Sequence, residues 1–356
     1  MRNFMALVWV GLFGLLVCFS SKSEENVCNI LLQTSPERAA KIEKARIYSK
    51  KNALEWINQK KCLSCHTVLS YVIGQNAKPS RELGEESSAI VDYIGDRLEN
   101  WTERRPWYPS KASESDSTEL IISAFARSQF EKSGAIAVSS QTMQSIRLMT
   151  KFQEEDGSLP WLNYSLQPLE SADAKSFGAA LAAVTFSTLD VNQRQEFSVE
   201  IENLKKYLRK EWSKPETADV NRLNVVWASS KLKGILSDSE IQETLTHSYS
   251  GQLANGGIPI ESVSAWTANH RPSISPAQAN SYATSYLLYV TQMAGMEKND
   301  HIAAKFQLGT HWLQTNQLED GSWQGVSLNS NRAFNNRLAS DLATGFGLAV
   351  LSHRVE

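Results

Sequence analysis

Residues 317–323 read QLEDGSW, and this short stretch decides the fold because close variants of it recur along the chain. Residues 153–161 read QEEDGSLPW, and residues 252–257 read QLANGG. Each copy has a glutamine, two further residues, an aspartate or asparagine, and then a glycine, a pattern typical of a tight turn after a helix. A glutamine at such a turn can bond backbone groups that the helix end leaves without partners. The recurrence indicates an internal repeat. Gln59, just before the stretch CLSCH at residues 62–66, is predicted to belong to a fourth copy.

Apolar residues recur mainly at helical spacing, and strand-like alternation is scarce. Eleven segments are predicted as helices: 36–59, 80–103, 117–132, 141–154, 171–189, 192–212, 220–233, 238–251, 276–294, 300–316 and 338–353. Turns separate pairs of these segments at intervals of about 50 residues, the size of a two-helix repeat. Because one helical hairpin cannot bury its own apolar face, neighbouring hairpins must stack. We therefore predict an all-α chain of about six helical hairpins.

The stretch QLEDGSW, and more loosely QEEDGSLPW, resembles the QW repeat of the terpenoid cyclase and protein prenyltransferase superfamily. The resemblance implies an α/α toroid with inner helices around a central cavity, formed by residues 37–356 as a single domain. A generic helical solenoid whose turns share Asp-Gly is the alternative.

The chemistry of that superfamily does not follow from the resemblance. The DxDD acid motif of squalene–hopene-type cyclases is absent, and no cysteine follows Cys65 to serve as a zinc ligand of the prenyltransferase kind. Asp341 is isolated and is interpreted as a group at the N-terminus of a helix. The fold can be inherited without the chemistry.

Residues 62–66 read CLSCH, the pattern for covalent attachment of c-type haem. On a helical turn, positions three apart lie on one face, so two thiols there can add to the two vinyl groups of one porphyrin. The next residue, His66, can then give its imidazole to the iron. We predict one covalent haem c, held by Cys62 and Cys65 with His66 as axial ligand, in the first turn between helices.

Three other interpretations of Cys62 and Cys65 remain open: a local disulfide, a redox-active pair, and half of a zinc site. The sixth ligand of the iron is also open, and a water-bound or empty position would suit binding of a small ligand rather than electron transfer. The candidate side chains for that ligand are His270, Met143, Met293, His311 and His353.

The N-terminus is predicted to be a secretory signal over residues 1–23, followed by a linker over residues 24–36. Arg2 precedes an apolar run of about 16 residues, short of the ~20 that span a bilayer. A membrane anchor and a lipoprotein signal at Cys18 are weaker alternatives, and Cys28 is left without an evident partner. The mature chain is expected to be exported, in the periplasm, lipid-anchored or secreted, with no membrane span after signal removal.

The formal net charge of −2 argues against a nucleic-acid partner, which would favour a basic excess. A set of aromatic residues is predicted either to line an apolar ligand cavity or to form ordinary core: Trp161, Trp227, Trp266, Tyr282 and Tyr286. The expected function is electron transfer or haem-centred oxidoreduction, with a redox partner protein or an apolar small molecule. The alternative is a toroidal module that binds a hydrophobic ligand or a protein without catalysis. No catalytic residue can be named.

Overall fold

The computed structural model describes residues 35–63, 65–75, 85–132, 138–264, 278–330 and 332–353. Within these ranges the chain forms 13 α-helices and no β-strand, which confirms the all-α prediction. The helices are α1 (Ser35–Lys60), α2 (Val68–Gln75), α3 (Glu85–Glu99), α4 (Ala112–Lys132), α5 (Ser140–Thr150), α6 (Lys175–Ser187), α7 (Val191–Glu196), α8 (Ser198–Ser213), α9 (Asp219–Lys231), α10 (Asp238–Ser248), α11 (Ser281–Met293), α12 (Ala303–Thr315) and α13 (Ala333–Ser352). The predicted signal and linker, residues 1–23 and most of 24–36, lie outside the described residues.

Two differences from the predicted helices matter for the site. Helix α2 was not among the predicted segments, because it has only eight residues and is buried from Val68 to Gly74, so it has no exposed polar face to mark it as a helix. The segment predicted as one helix over 192–212 is two helices, α7 and α8, separated at Phe197. Nothing in the described residues is long and apolar enough to be a membrane-crossing helix.

Apart from the six-residue helix α7, the helices alternate between two kinds along the chain. One kind, here called the buried set, comprises α2, α4, α6, α9, α11 and α13, whose side chains are mostly inaccessible to solvent. These six helices pack on one another in chain order, and α13 also packs on α2. The other kind, here called the flanking set, comprises α1, α3, α5, α8, α10 and α12. Each flanking helix precedes a buried helix, and all except α5 pack against the buried helix that follows, leaving their polar faces in water; α5 packs on α4, the buried helix before it.

The three QxxDG-type turns fold in the same way. The side-chain amide of Gln317 donates to the carbonyl of Gly321 at 2.9 Å and to the carbonyl of Lys41, on α1, at 2.9 Å. Gln153 bonds Gly157 and a carbonyl of α8 in the same manner, and Gln252 bonds Gly256 and a carbonyl of α12. Each turn therefore ties its own flanking helix to the next, and the last turn ties α12 to α1.

Gln59 does not form a fourth copy of this turn. The side-chain amide of Gln59 donates to Glu55 within the same helix, and the side chain of Gln59 is exposed. The chain leaves α1 instead through Lys61, which has φ 53° and donates its backbone N–H to the carbonyl of Ile57. The first connection thus lacks the QxxDG structure, although it occupies the corresponding place in the repeat.

Aromatic side chains of the buried set meet in the interior. Trp227 on α9 packs against Phe125 of α4, Phe177 of α6 and Tyr289 of α11, with ring centroids 5.4–6.2 Å apart. Phe346 of α13 joins the group 5.2 Å from Tyr289. Five buried helices therefore share one aromatic cluster, which fills the space between them with side chains.

Candidate functional site

A cavity of about 820 Å³ lies at one end of the buried set. Its lining comes mainly from the connections that lead from a flanking helix to the next buried helix: residues 61–63, 65 and 66; 105–108; 162, 166–168 and 170; 260 and 280; and 326–329. These connections lead into α2, α4, α6, α11 and α13, so the starts of these five buried helices lie at the cavity. The volume is in the range of small-molecule and cofactor pockets.

Cys62, Cys65 and His66 all line this cavity. They lie in the connection between α1 and α2, after the turn at Lys61. Cys65 is buried and Cys62 is half-buried, and both are free thiols. The indole N–H of Trp56 donates to the sulfur of Cys62 at 3.3 Å. Two thiols and an imidazole therefore line the same cavity.

Burial raises the pKa of both Cys62 and Cys65, so both are neutral thiols at pH 7. Redox-active CxxC pairs show the reverse, a lowered pKa that supplies a thiolate. The structure therefore gives the redox-pair interpretation no support. No group of three or more His, Cys, Asp or Glu side chains in the described part of the chain is arranged to hold a metal ion, so the zinc interpretation gains none either.

The imidazole of His66 is largely buried, and desolvation lowers its pKa to about 4. It is therefore neutral at physiological pH, the state that a metal ligand requires. Its Nδ1 lies 4.0 Å from Oε1 of Glu170, in the connection between α5 and α6. Burial also raises the pKa of Glu170. No motif in the sequence singles out Glu170, since only the fold brings it to His66.

A buried carboxylate anchors the residue that follows His66. Asp341 accepts hydrogen bonds from the hydroxyl of Thr67 at 2.8 Å and from the amide of Asn52 at 2.7 Å. Burial raises the pKa of Asp341, while these hydrogen bonds oppose the rise. The interpretation of Asp341 as a helix N-terminal group is wrong, because α13 begins at Ala333 and carries Asp341 in its interior. Asp341 instead joins α1, the start of α2 and α13.

The cavity lining combines aromatic and cationic groups. Trp56, Trp107 and Phe334 contribute aromatic surface, and Trp56 and Phe334 stack with ring centroids 6.0 Å apart. The lining side chains Tyr108 and Phe334 are also partly exposed, which leaves apolar surface at the mouth. Four lining residues are basic, and Glu170 is the acidic one: Lys60, Lys61, Arg97 and Arg105.

Arg97 is held in place by a buried carboxylate. Its guanidinium donates to Glu119 with an Nη2–Oε2 distance of 2.9 Å, and to the backbone carbonyl of Arg105 at 3.1 Å. The same guanidinium lies 5.7 Å from the ring of Trp107. The aromatic connection between α3 and α4 is thereby fixed against the cavity. In the sequence this connection is the aromatic-rich stretch NWTERRPWYP at residues 100–109.

The predicted candidates for a sixth ligand do not meet at the cavity. Met143, Met293, His311 and His353 lie on or beside α5, α11, α12 and α13, and none of them is among its lining residues. His270 lies outside the described residues. Among the described lining residues there is no methionine and no histidine other than His66.

Most of the aromatic residues that were predicted to line a cavity also lie away from it. Trp161, Trp227 and Tyr286 are buried in the interior and are not part of the cavity lining. Tyr282 stacks on Tyr286 at 5.6 Å and also lines the cavity. Trp266 lies outside the described residues. Most of this predicted set therefore packs the interior, and Tyr282 marks the point where the interior meets the cavity.

A c-type haem fits the residues at this site. Covalent attachment needs two thiols and one imidazole on a common space, and Cys62, Cys65 and His66 provide them. A flat apolar macrocycle needs the aromatic and aliphatic lining that the cavity offers. Comparison with known proteins adds nothing to this argument, since neither a family model nor a curated protein matches the chain.

Proposed function

We propose that this chain is an exported mono-haem c-type protein that transfers electrons. The observation that carries the proposal is that Cys62, Cys65 and His66 line one cavity of about 820 Å³. Cys62 and Cys65 would hold the haem through thioether bonds, and His66 would be the axial ligand of its iron. The haem would supply one-electron redox chemistry.

The residues around the motif have defined roles in this proposal. Trp56 positions the sulfur of Cys62 through its indole N–H, and Asp341 holds the backbone after His66 through Thr67. The aromatic lining excludes water and lowers the local dielectric around the cofactor. The neutral state of His66 keeps a lone pair available for iron without loss of a proton.

The mouth of the cavity suits exchange of electrons with a redox partner protein. Partly exposed Tyr108 and Phe334 offer apolar contact, and exposed Lys60, Lys61 and Arg105 surround it with positive charge. Such a surface favours a partner with acidic groups around an apolar patch, because charge complementarity raises the association rate. An apolar small molecule entering the same mouth is the other substrate class that this lining accommodates.

We further propose that the six flanking–buried pairs close into an α/α toroid that carries the haem in its first connection. Two sets of contacts between the chain ends support closure. Helix α13 packs on α2, and Gln317, after α12, donates to Lys41 of α1. We also propose that residues 1–23 direct the chain out of the cytoplasm, which suits a covalently attached haem.

The experiment is haem staining of the full-length chain after denaturing electrophoresis, from cells with a working cytochrome c maturation system. The unmodified chain is expected to stain, and Cys62→Ala with Cys65→Ala is expected to abolish the stain. Cys28→Ala is the matched control, because it removes a thiol outside the motif and is expected to keep the stain. A stain that survives the double replacement, or an unstained parent chain, would overturn the proposal.

The alternative function, a toroidal module that binds a hydrophobic ligand, rests on the same apolar lining. It predicts a colourless protein that purifies with a bound apolar molecule, detectable by mass spectrometry of a solvent extract. Because the aromatic cluster around Trp227 fills the interior, the cavity at the end of the buried set is the place for such a ligand.

A further inference from the structure

Glu170 lies next to the imidazole of His66 in the lining of the cavity. Its Oε1 lies 4.0 Å from Nδ1, and the two side chains are 20% and 13% exposed. In the part of the chain that the structure describes, no lysine or arginine comes within ion-pair distance of Glu170. Among the described residues, His66 is thus the basic side chain that lies within 4.0 Å of this carboxylate.

The segment that carries Glu170 is fixed on both sides. The backbone N–H groups of Tyr164 and Leu166 donate to the carbonyl of Glu170, and the N–H of Glu170 donates back to Leu166. Gln167 and Asn329 exchange two hydrogen bonds, so this connection is tied to the one between α12 and α13. Glu170 thus stands on a braced loop rather than on a free one.

We propose that Glu170 is a positioning residue for the haem iron: its carboxylate accepts the Nδ1–H of His66 and leaves Nε2 as the axial nitrogen. This inference rests on the proposed function. Histidines that bind metals generally donate their other ring N–H to a carboxylate, a carbonyl or water, which fixes the ring and makes it a stronger ligand. The 4.0 Å separation exceeds a hydrogen bond by about 1 Å, so the proposal requires the side chain of Glu170 to move closer to the imidazole.

A carboxylate in this position affects the redox equilibrium. Reduction of the iron adds one electron and removes one positive charge from the site. A negative charge on the far side of the imidazole therefore stabilises the oxidised form more than the reduced form, and lowers the midpoint potential. We infer a carrier whose potential is set below that of the same haem without Glu170.

The test is a spectroscopic redox titration of the haem-loaded, full-length protein and of Glu170→Gln, which keeps the shape and removes the charge. Glu170→Gln is expected to favour the reduced form about tenfold, an upward shift of about 59 mV for one electron. Glu261→Gln is the matched control, because Glu261 is exposed and adjoins the lining residue Ile260. Its midpoint is expected to stay at the value of the parent protein.

An unchanged midpoint in Glu170→Gln, or an equal shift in Glu261→Gln, would overturn the role of Glu170 while leaving haem attachment intact. Loss of the haem from the parent protein would instead refute the proposed function, so the two failures are distinct. Glu170→Asp keeps the charge but withdraws it by one methylene group, and is expected to give a smaller upward shift. If Glu170→Gln does not fold, Glu170→Asp decides the question, and an unshifted midpoint counts against the inference.

Discussion

Replacement of Gly321 by alanine tests whether the last turn of the chain packs tightly on its first helix. Gly321 has φ 91°, and an added Cβ would lie 2.3 Å from the carbonyl carbon of Lys44 and 2.7 Å from the backbone nitrogen of Ala45. Both of these residues lie on α1. The substituted chain must therefore move α1 away from the turn that follows α12.

The magnitude follows from two costs. The positive φ costs about 1–2 kcal/mol for any L-residue. Displacing well-packed neighbours costs about 1–3 kcal/mol more. Gly321→Ala is therefore expected to lower the free energy of unfolding by about 2–5 kcal/mol. The assay is urea unfolding followed by circular dichroism, with the midpoint and slope compared between variants.

Gly234 supplies a matched control. It also has φ 91°, but the nearest atom to an added Cβ is the terminal nitrogen of Lys205 at 3.8 Å. Gly234→Ala is expected to cost only the conformational part, about 1–2 kcal/mol. Equal destabilisation by the two replacements would refute the argument, since the contact with α1 would then contribute nothing.

Three further predictions concern the turn, the anchor and the axial histidine. Gln317→Ala should lower the free energy of unfolding by about 1–3 kcal/mol, because two backbone carbonyls lose their donor. Gln59→Ala should change that free energy little. Equal effects of the two replacements in chemical denaturation would contradict this prediction. Asp341→Ala should lower the free energy of unfolding by about 3 kcal/mol, because buried donors lose their acceptor, and Asp341→Asn should lower it less. A larger loss of thermal stability in Asp341→Asn than in Asp341→Ala would count against the anchoring role. In the haem-free protein, NMR should show His66 titrating near pH 4. Because that folded pKa lies below the ordinary histidine pKa of 6.5, the contribution of His66 to stability should be complete above pH 6.5 and lost as the pH falls towards 4. A titration midpoint near 6.5 would exclude a buried imidazole.

Local sequence patterns predicted the helical class and the repeated turns. The glutamine and glycine of QLEDGSW are spaced by the geometry of one turn, so the pattern and the structure coincide at Gln317 and Gly321. The two-cysteine motif is likewise local, and its placement between two helices follows from the charged helix before it. Helix α2 was not predicted because a short segment that is buried from Val68 to Gly74 has no exposed polar face.

The rest of the site depends on contacts between distant segments. Glu170 and Asp341 reach the motif only when connections from different repeats gather at one end of the buried helices. No spacing in the sequence encodes that meeting. The aromatic residues show the same limit, because helical spacing cannot distinguish Trp227, which packs the interior, from Tyr282, which also lines the cavity.

Tandem mass spectrometry of the peptide containing residues 62–66, after digestion of the denatured mature protein, tests the central idea most directly. We predict a porphyrin joined to that peptide at both Cys62 and Cys65. A peptide of unmodified mass, with both thiols free to react with an alkylating reagent, would contradict it.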